Sequence, residues 1–168
     1  MNEAPFGIVR LNGAHDRSTF HCGIESLDRY FRQLVSQDAR RRIATCFVMA
    51  ENETGAIAGY YTLAATGVLL RELPEDIAAR LPRHNLIPGA LIGRLAIAAA
   101  FQGRKLGAAL LFDAVARVVR SDVAAFAILV DPIDDRARSF YRHHGFLDLP
   151  GPERRMFVPT ASIAGLIR

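Results

Sequence analysis

Residues 90–112 read Ala90-Leu91-Ile92-Gly93-Arg94-Leu95-Ala96-Ile97-Ala98-Ala99-Ala100-Phe101-Gln102-Gly103-Arg104-Lys105-Leu106-Gly107-Ala108-Ala109-Leu110-Leu111-Phe112. Ala90 to Ile97 is a short, nearly unbroken apolar run, the pattern of a buried strand. Gln102 to Gly107 is a basic loop of small residues. From Gly107 to Arg120 apolar residues return at helical spacing (Leu110, Leu111, Ala114, Val115, Val118), with Asp113, Arg117 and Arg120 between them. A strand, a tight basic loop and a helix start make an anion site. The first turn of a helix holds N–H groups without internal partners, and its dipole favours negative charge. Glycines let a phosphate approach the backbone. The competing reading is a basic connection that binds nothing. Two named phosphate patterns, G-x-x-x-x-G-K-S/T and G-x-G-x-x-G, do not fit.

Around this stretch the 168 residues read as one domain over 1–168, long enough for a real core. An apolar content of 51% excludes a disordered chain. No apolar run reaches transmembrane length, and the N-terminus lacks a charged-then-apolar leader, which reads as a cytoplasmic protein with no membrane partner. Cys22 and Cys46 are too few for a disulfide framework or a zinc site, so no metal is expected. The net charge of +4 is carried almost wholly by arginine, Lys105 being the only lysine. That suits phosphate-bearing partners, and equally an Arg- and Ala-rich composition.

Taken in order, Phe6 to Val9 reads as a strand and Leu11 to Cys22 as a polar, turn-rich segment. His15-Asp16-Arg17 lies within that segment, and a structural role for His15 and Asp16 is favoured. Ile24, Leu27, Phe31, Leu34 and Val35 mark the buried face of a helix, with Asp28, Arg29, Arg32 and Gln33 between them. It ends in Arg40-Arg41-Arg42, read either as dipole-favoured, solvated arginines or as an RNA contact. Ala44 to Glu51 and Ala56 to Val68 form a hairpin around Asn52-Glu53-Thr54-Gly55. Pro74 starts a short helix with Glu75 and Asp76 in its first turn. Pro82, Pro88 and Gly89 are expected to break the chain before the central strand, leaving a loop there as the lip of a cleft. Ala124 to Val130 is a further strand, and Asp134-Asp135 lead into a helix over 136–143 that Gly145 stops. Phe146 to Leu149 and Met156 to Val158 close the pattern around a Pro-Gly-Pro turn, and residues 160–168 add a helical turn.

The loop Gln102 to Ala108 resembles the acetyl-CoA loop of the GCN5-related N-acetyltransferases, R/Q-x-x-G-x-G/A. Gln102 takes the first position and Gly107 the second glycine. Lys105 stands where the family usually has its first glycine, and its ammonium can act as a point charge on phosphate. Ala137-x-x-Phe140-Tyr141-x-x-x-Gly145-Phe146 resembles the second signature of that family. Further shared stretches are His15 to Gly23 followed by Leu27-Asp28, Gly59 to Leu63, Leu81-Pro82-Arg83 and Gly93 to Ile97. They look like the toxins of this family from bacterial toxin–antitoxin modules, which acetylate aminoacyl-tRNA.

The resemblance implies an α/β (α+β) fold, a mixed, twisted β-sheet splayed at its central strand with helices on both faces. It implies acetyl-CoA as co-substrate, held by the backbone of Leu95, Ala96 and Ile97 and by Gln102, Gly103, Arg104, Lys105, Leu106, Gly107 and Ala108. Tyr141 takes the place of the general acid. Implied partners are aminoacyl-tRNA and a cognate ribbon-helix-helix antitoxin, with a homodimer as a further possibility. Arg40, Arg41, Arg42, Arg83 and Arg94 are the candidate RNA contacts, Arg94 ranking lowest because it lies inside the central strand.

Chemistry agrees with these assignments. An α-amine with a pKa of about 7.7–8.0 is partly neutral at pH 7, so acetyl transfer to it needs no strong protein base. A phenol with a pKa of about 10 stays protonated and can hand its proton to a departing thiolate. No G-x-S-x-G elbow supports an acyl-enzyme route. The alternatives are an N-acetyltransferase of a small amine or a protein N-terminus, and a non-catalytic acyl-CoA-binding module, which would have no use for a thiolate acid.

Overall fold

The chain opens with strand β1 (Phe6–Arg10) and a long connection into a helix over 25–40, α1. The structure, a computed structural model, describes residues 4–151 and 154–167. Of the closing turn expected from sequence, Pro152 lies outside the described residues, as does Arg168 of the tail. Next come β2 (Thr45–Glu51), β3 (Ile57–Leu69), a 3₁₀ turn (Leu70–Glu72), the one-turn α2 (Glu75–Ala78) and β4 (Leu86–Ile97). The remainder is α3 (Leu106–Arg120), β5 (Ala127–Val130), α4 (Asp135–His143), β6 (Leu147–Asp148), β7 (Met156–Pro159) and α5 (Thr160–Ala164).

The described strands form one mixed sheet in the order β1-β2-β3-β4-β5-β7-β6. β1–β2 and β2–β3 are antiparallel, the latter with a register shift at Met49/Ala50, and the turn 52–55 closes the hairpin as expected. β4 and β5 are parallel from Gly89↔Ala127 to Ile92↔Val130, the arrangement that requires a crossover such as α3. β4 itself continues to Ile97, so its last five residues lie beyond the stretch paired with β5. β7 pairs antiparallel with both β5 and β6.

The fold divides into two compact units, one built from the chain up to Ala64 with Gly93–Ala114, the other from Ala65–Ile92 with the chain from Val115 onward. The core of the first gathers Phe20, Leu27, Tyr30, Phe31, Val35, Val48 and Tyr60. Phe31 stacks on Tyr60 at 4.2 Å between ring centroids, and Phe20 meets Phe31 edge-on at 4.8 Å. Truncating a fully buried ring of this kind to alanine costs about 3–5 kcal/mol. The core of the second packs Val68, Leu73, Ile87, Leu129, Leu149 and Phe157. In α3 the helical spacing holds: Leu110, Leu111, Ala114, Val115 and Val118 are all buried, while Phe112 is exposed.

Three expectations need correction. β4 starts at Leu86 and runs through Pro88 and Gly89, which the sequence suggested would break the chain. Proline lacks only the donor, and its carbonyl still serves, accepting the N–H of Phe126 at 2.8 Å. β5 starts at Ala127, not Ala124. In α1, Leu34 is exposed and Asp28 is buried, whereas the apolar spacing placed Leu34 inside and Asp28 between the apolar positions. Asp28 precedes any irregularity and is buried because its carboxylate accepts the Cys22 N–H at 2.7 Å. For Leu34 the cause is a π-helical turn over Tyr30–Leu34, in which the Val35 N–H reaches back five residues to the Tyr30 carbonyl. One extra residue in a turn shifts the phase of everything after it, so Val35 takes the inward place instead of Leu34.

Candidate active site

The connection from β4 to α3 begins with a 3₁₀ turn (Ala99–Phe101) and then adopts left-handed backbone twice, at Gly103 (φ 80°) and Lys105 (φ 60°). Glycine enters that region freely, and a residue with a Cβ does so at a cost. Lys105 thus occupies a backbone conformation that favours glycine and adds an exposed ammonium. The N–H groups of Leu106, Gly107 and Ala108 have no partner among the described residues, the first helical bond being Ala109 N–H to the Lys105 carbonyl at 3.4 Å. A basic side chain beside three unpaired N–H groups at the start of a 15-residue helix fits a phosphate-bearing co-substrate.

Gln102 and Arg104 are engaged otherwise. The Gln102 amide donates to the carbonyls of Cys22 (2.8 Å) and Ile97 (3.0 Å), tying the loop to the end of β4 and to the segment before α1. The Arg104 guanidinium lies 5.2 Å over the ring of Phe6 and 5.6 Å over that of Phe101. In β4 the Arg94 N–H donates to the Thr62 hydroxyl at 3.1 Å, and Ala96 is buried.

Tyr141 sits in the last turn of α4. The helix is capped by Asp134, whose carboxylate accepts the Ala137 N–H at 2.8 Å. It ends in a Schellman motif: Phe146 N–H to the Tyr141 carbonyl (3.1 Å) and Gly145 N–H to the Arg142 carbonyl (3.1 Å), with Gly145 at φ 95°. The rings of Tyr141 and Phe146 meet at 5.5 Å, the apolar contact that accompanies this motif. Tyr141 is only 6% exposed. Its hydroxyl makes no hydrogen bond among the described residues, unlike those of the other three tyrosines. Tyr30 donates to Asp38 (2.8 Å), Tyr60 to the Leu27 carbonyl (2.7 Å) and Tyr61 to Asp113. Burial, and after it the Asp131 carboxylate, push the Tyr141 phenol well above its ordinary pKa, so it holds its proton throughout the neutral range. Asp131 is itself held by Arg155 through two bonds of 2.7 and 3.0 Å. An acid directly following a buried strand was the available sequence signal for it.

The arginines separate into distinct settings. Arg40, Arg41 and Arg42 are exposed together at the end of α1. Arg83 is exposed in the loop before β4. Arg94 is stacked on Tyr30, its guanidinium carbon 3.5 Å from the ring centroid, which gives it a packing role.

The early polar segment is structural in most of its contacts. The Asp16 carboxylate accepts from the Ser18 N–H (3.0 Å) and hydroxyl (2.6 Å). His15 Nδ1 accepts the Asn12 N–H at 3.1 Å. Asp28, buried and missed as such from sequence, accepts the Cys22 N–H at 2.7 Å and faces His21 Nδ1 at 3.3 Å. His15, Asp16 and His21 also line a cleft of about 580 Å³ with residues 54–57 and 98–101. Among the described residues no cluster of His, Cys, Asp and Glu is arranged to hold a metal ion, and no helix is long and apolar enough to cross a membrane.

A mixed sheet, a left-handed basic loop opening a long helix, and a buried tyrosine whose hydroxyl is unpaired among the described residues together define a class. The chain belongs to the acetyltransferase (GNAT) family, which matches residues 10–146. It is 34% identical over 139 residues to the tRNA-acetylating toxin of Mycobacterium tuberculosis, covering 82% of this chain and 81% of that protein. AtaT complexed with acetyl-methionyl-tRNAfMet superposes with a TM-score of 0.88 at 28% identity, over 97% of this chain and 99% of that one. A tyrosine-to-phenylalanine mutant of the AtaT toxin, bound to the C-terminus of the antitoxin AtaR and acetyl-CoA, gives 0.81 at 27% identity over 97% and 98%.

Proposed function

We propose that this chain transfers the acetyl group of acetyl-CoA directly to the α-amine of aminoacyl-tRNA, with Tyr141 as general acid. It acts as a cytoplasmic toxin that blocks translation until a cognate ribbon-helix-helix antitoxin engages it. The observation that carries the reading is the buried Tyr141 hydroxyl, which keeps its proton and has no hydrogen-bond partner among the described residues, at a helix end closed by the Phe146 and Gly145 N–H groups. The likeness to a tRNA-acetylating toxin and to structures with acetyl-methionyl-tRNA, acetyl-CoA and an antitoxin supports the choice of substrates and partner.

In the reaction the amine nitrogen bonds to the thioester carbonyl carbon and the carbon–sulfur bond breaks. The Tyr141 proton passes to the sulfur, and the amine releases its surplus proton to water. Acetyl-CoA supplies an activated acyl group. The chain's own contribution is to bind phosphate with Lys105 and the N–H groups of Leu106 to Ala108, and to deliver one proton. Arg40, Arg41, Arg42 and Arg83 grip the sugar-phosphate track of an acceptor stem, which offers shape and charge more than readable bases. The test offers labelled acetyl-CoA with aminoacyl-tRNA, deacylated tRNA and a panel of free amines. Label should enter only the aminoacylated form and be lost on ester hydrolysis. Efficient, salt-independent acetylation of a free amine would instead identify a small-molecule enzyme.

A further inference from the structure

The π turn in α1 leaves one acceptor without its helical donor. In an α-helix the Val35 N–H would bond to the Phe31 carbonyl; here it bonds to that of Tyr30. Arg17 fills the gap from outside the helix, donating from one terminal nitrogen to the Phe31 carbonyl at 2.6 Å and from the other to the Ser36 hydroxyl at 2.7 Å. Its guanidinium carbon also lies 5.9 Å over the Phe31 ring. A π turn is rare and costs hydrogen-bond geometry, so it persists where something holds it. The two guanidinium bonds span residues 31 and 36, the stretch in which the phase changes. Beyond the turn, Asp38 meets the Tyr30 hydroxyl at 2.8 Å and Val35 is inward at 1% exposure. Arg40 ends that helix and Arg41 and Arg42 are bonded onto it, N–H to the Gln37 carbonyl at 2.9 Å and to the Ala39 carbonyl at 3.2 Å, so the turn sets the direction in which they face.

We propose that Arg17 is a positioning residue for the RNA substrate: by taking the carbonyl that the π turn frees, it fixes the rotational phase of Arg40, Arg41 and Arg42. The inference rests on the reading of those three arginines as RNA contacts. Without Arg17 the segment after the turn is free to revert to α-helical phase, a rotation of about 100° per residue gained or lost. Such a rotation turns the arginines away from phosphates they would otherwise reach.

The test uses the full chain and measures three things: KM for aminoacyl-tRNA, kcat at saturating substrates, and hydrogen exchange at the Val35 amide. Arg17→Ala should speed Val35 exchange and raise KM about tenfold, the loss of one charge-assisted contact, with kcat unchanged. Deleting Leu34 in that background removes the extra residue, makes the helix α throughout, and should restore KM. Arg17→Lys keeps one donor for the Phe31 carbonyl and should fall between, and it carries the test if Arg17→Ala does not fold. An unchanged KM despite faster Val35 exchange overturns the proposal, as does a loss of kcat that the Leu34 deletion does not repair. Reversing Arg41 and Arg42 to glutamate separates the premises. If that leaves KM unchanged, the RNA reading fails and the proposal with it, while Val35 exchange still reports whether Arg17 holds the turn.

Discussion

Two helices end with the same hydrogen bonds and different residues at the critical place. At the end of α4, Gly145 takes the left-handed position, with Gly145 N–H to Arg142 and Phe146 N–H to Tyr141. At the end of α1, Arg42 takes it at φ 59°, with Arg42 N–H to Ala39 (3.2 Å) and Ile43 N–H to Asp38 (2.9 Å). Glycine occupies this conformation freely, whereas a residue with a Cβ gives up about 1–2 kcal/mol. Among the described residues only Arg42 and Lys105 are non-glycine with positive φ, and both are basic. The difference teaches where each side chain matters. The end of α4 must present the Tyr141 ring and needs only a relaxed turn. On the proposal that Arg42 contacts RNA, the end of α1 keeps a cation there at a backbone cost.

The largest effect should come from separating the two jobs of Tyr141. Tyr141→Phe keeps the carbonyl and the ring packed on Phe146, so the helix end survives, but removes the proton donor. The rate at saturating substrate should fall by about 10²–10⁴-fold, with acetyl-CoA affinity in a binding titration little altered. A rate near that of the parent protein would remove Tyr141 from catalysis. Next, Gly145→Ala meets no atom within 4 Å of the added Cβ, so its whole cost is conformational. Stability in a denaturant titration should drop by about 1–2 kcal/mol. An undiminished midpoint would mean that the two helix ends are not under the same constraint.

Arg42→Gly is the reciprocal change. Relief of strain, partly offset by the greater freedom of glycine in the unfolded chain, should raise stability by up to about 1 kcal/mol. The dependence of log affinity for aminoacyl-tRNA on log salt should become shallower by about one unit as one phosphate contact is lost. A stability gain with an unaltered salt slope would mark Arg42 as a plain helix terminator. The smallest effect concerns the two thiols in the core of the same unit. Burial, with the Asp28 hydrogen bond second, raises Cys22 to about 11, and burial raises Cys46 to about 12. Both should resist alkylation at pH 8 until the chain unfolds. The unfolded thiols ionise near 9.0 while the folded ones keep their protons. The stability contribution is therefore complete below pH 9 and declines as pH rises toward 11 and 12. Reaction of native Cys22 at pH 8 at the rate of a free thiol would contradict its placement.

What could be read from sequence follows the regularity of the backbone. The β2–β3 hairpin was legible because apolar strands flank a short Gly-containing loop, and Leu106–Arg120 because its apolar residues keep a 3.6-residue period without interruption. α1 was legible as a helix and misread in phase, because Leu34 fits an α-helical stripe and only the π turn moves it out. Nothing local in Tyr30–Leu34 announces that turn, whose support comes from Arg17, outside the helix. Pro88 misled because a missing donor was taken for a missing strand. Near Tyr141, the end of α4 was legible in Gly145, which takes the left-handed position just past the helix. The engagement of Gln102 with Cys22 and Ile97, and of Arg94 with Tyr30, depends on residues distant in sequence.

Lys105 has a consequence for handling the protein. It is the chain's only lysine and it is exposed, so reagents that couple to side-chain amines have one address. A fluorophore or biotin attached by such chemistry lands on the connection between β4 and α3, with the terminal α-amine as its competitor. Immobilisation through amines anchors the molecule by that connection. A dye placed there reports on the surroundings of the loop without any engineered cysteine.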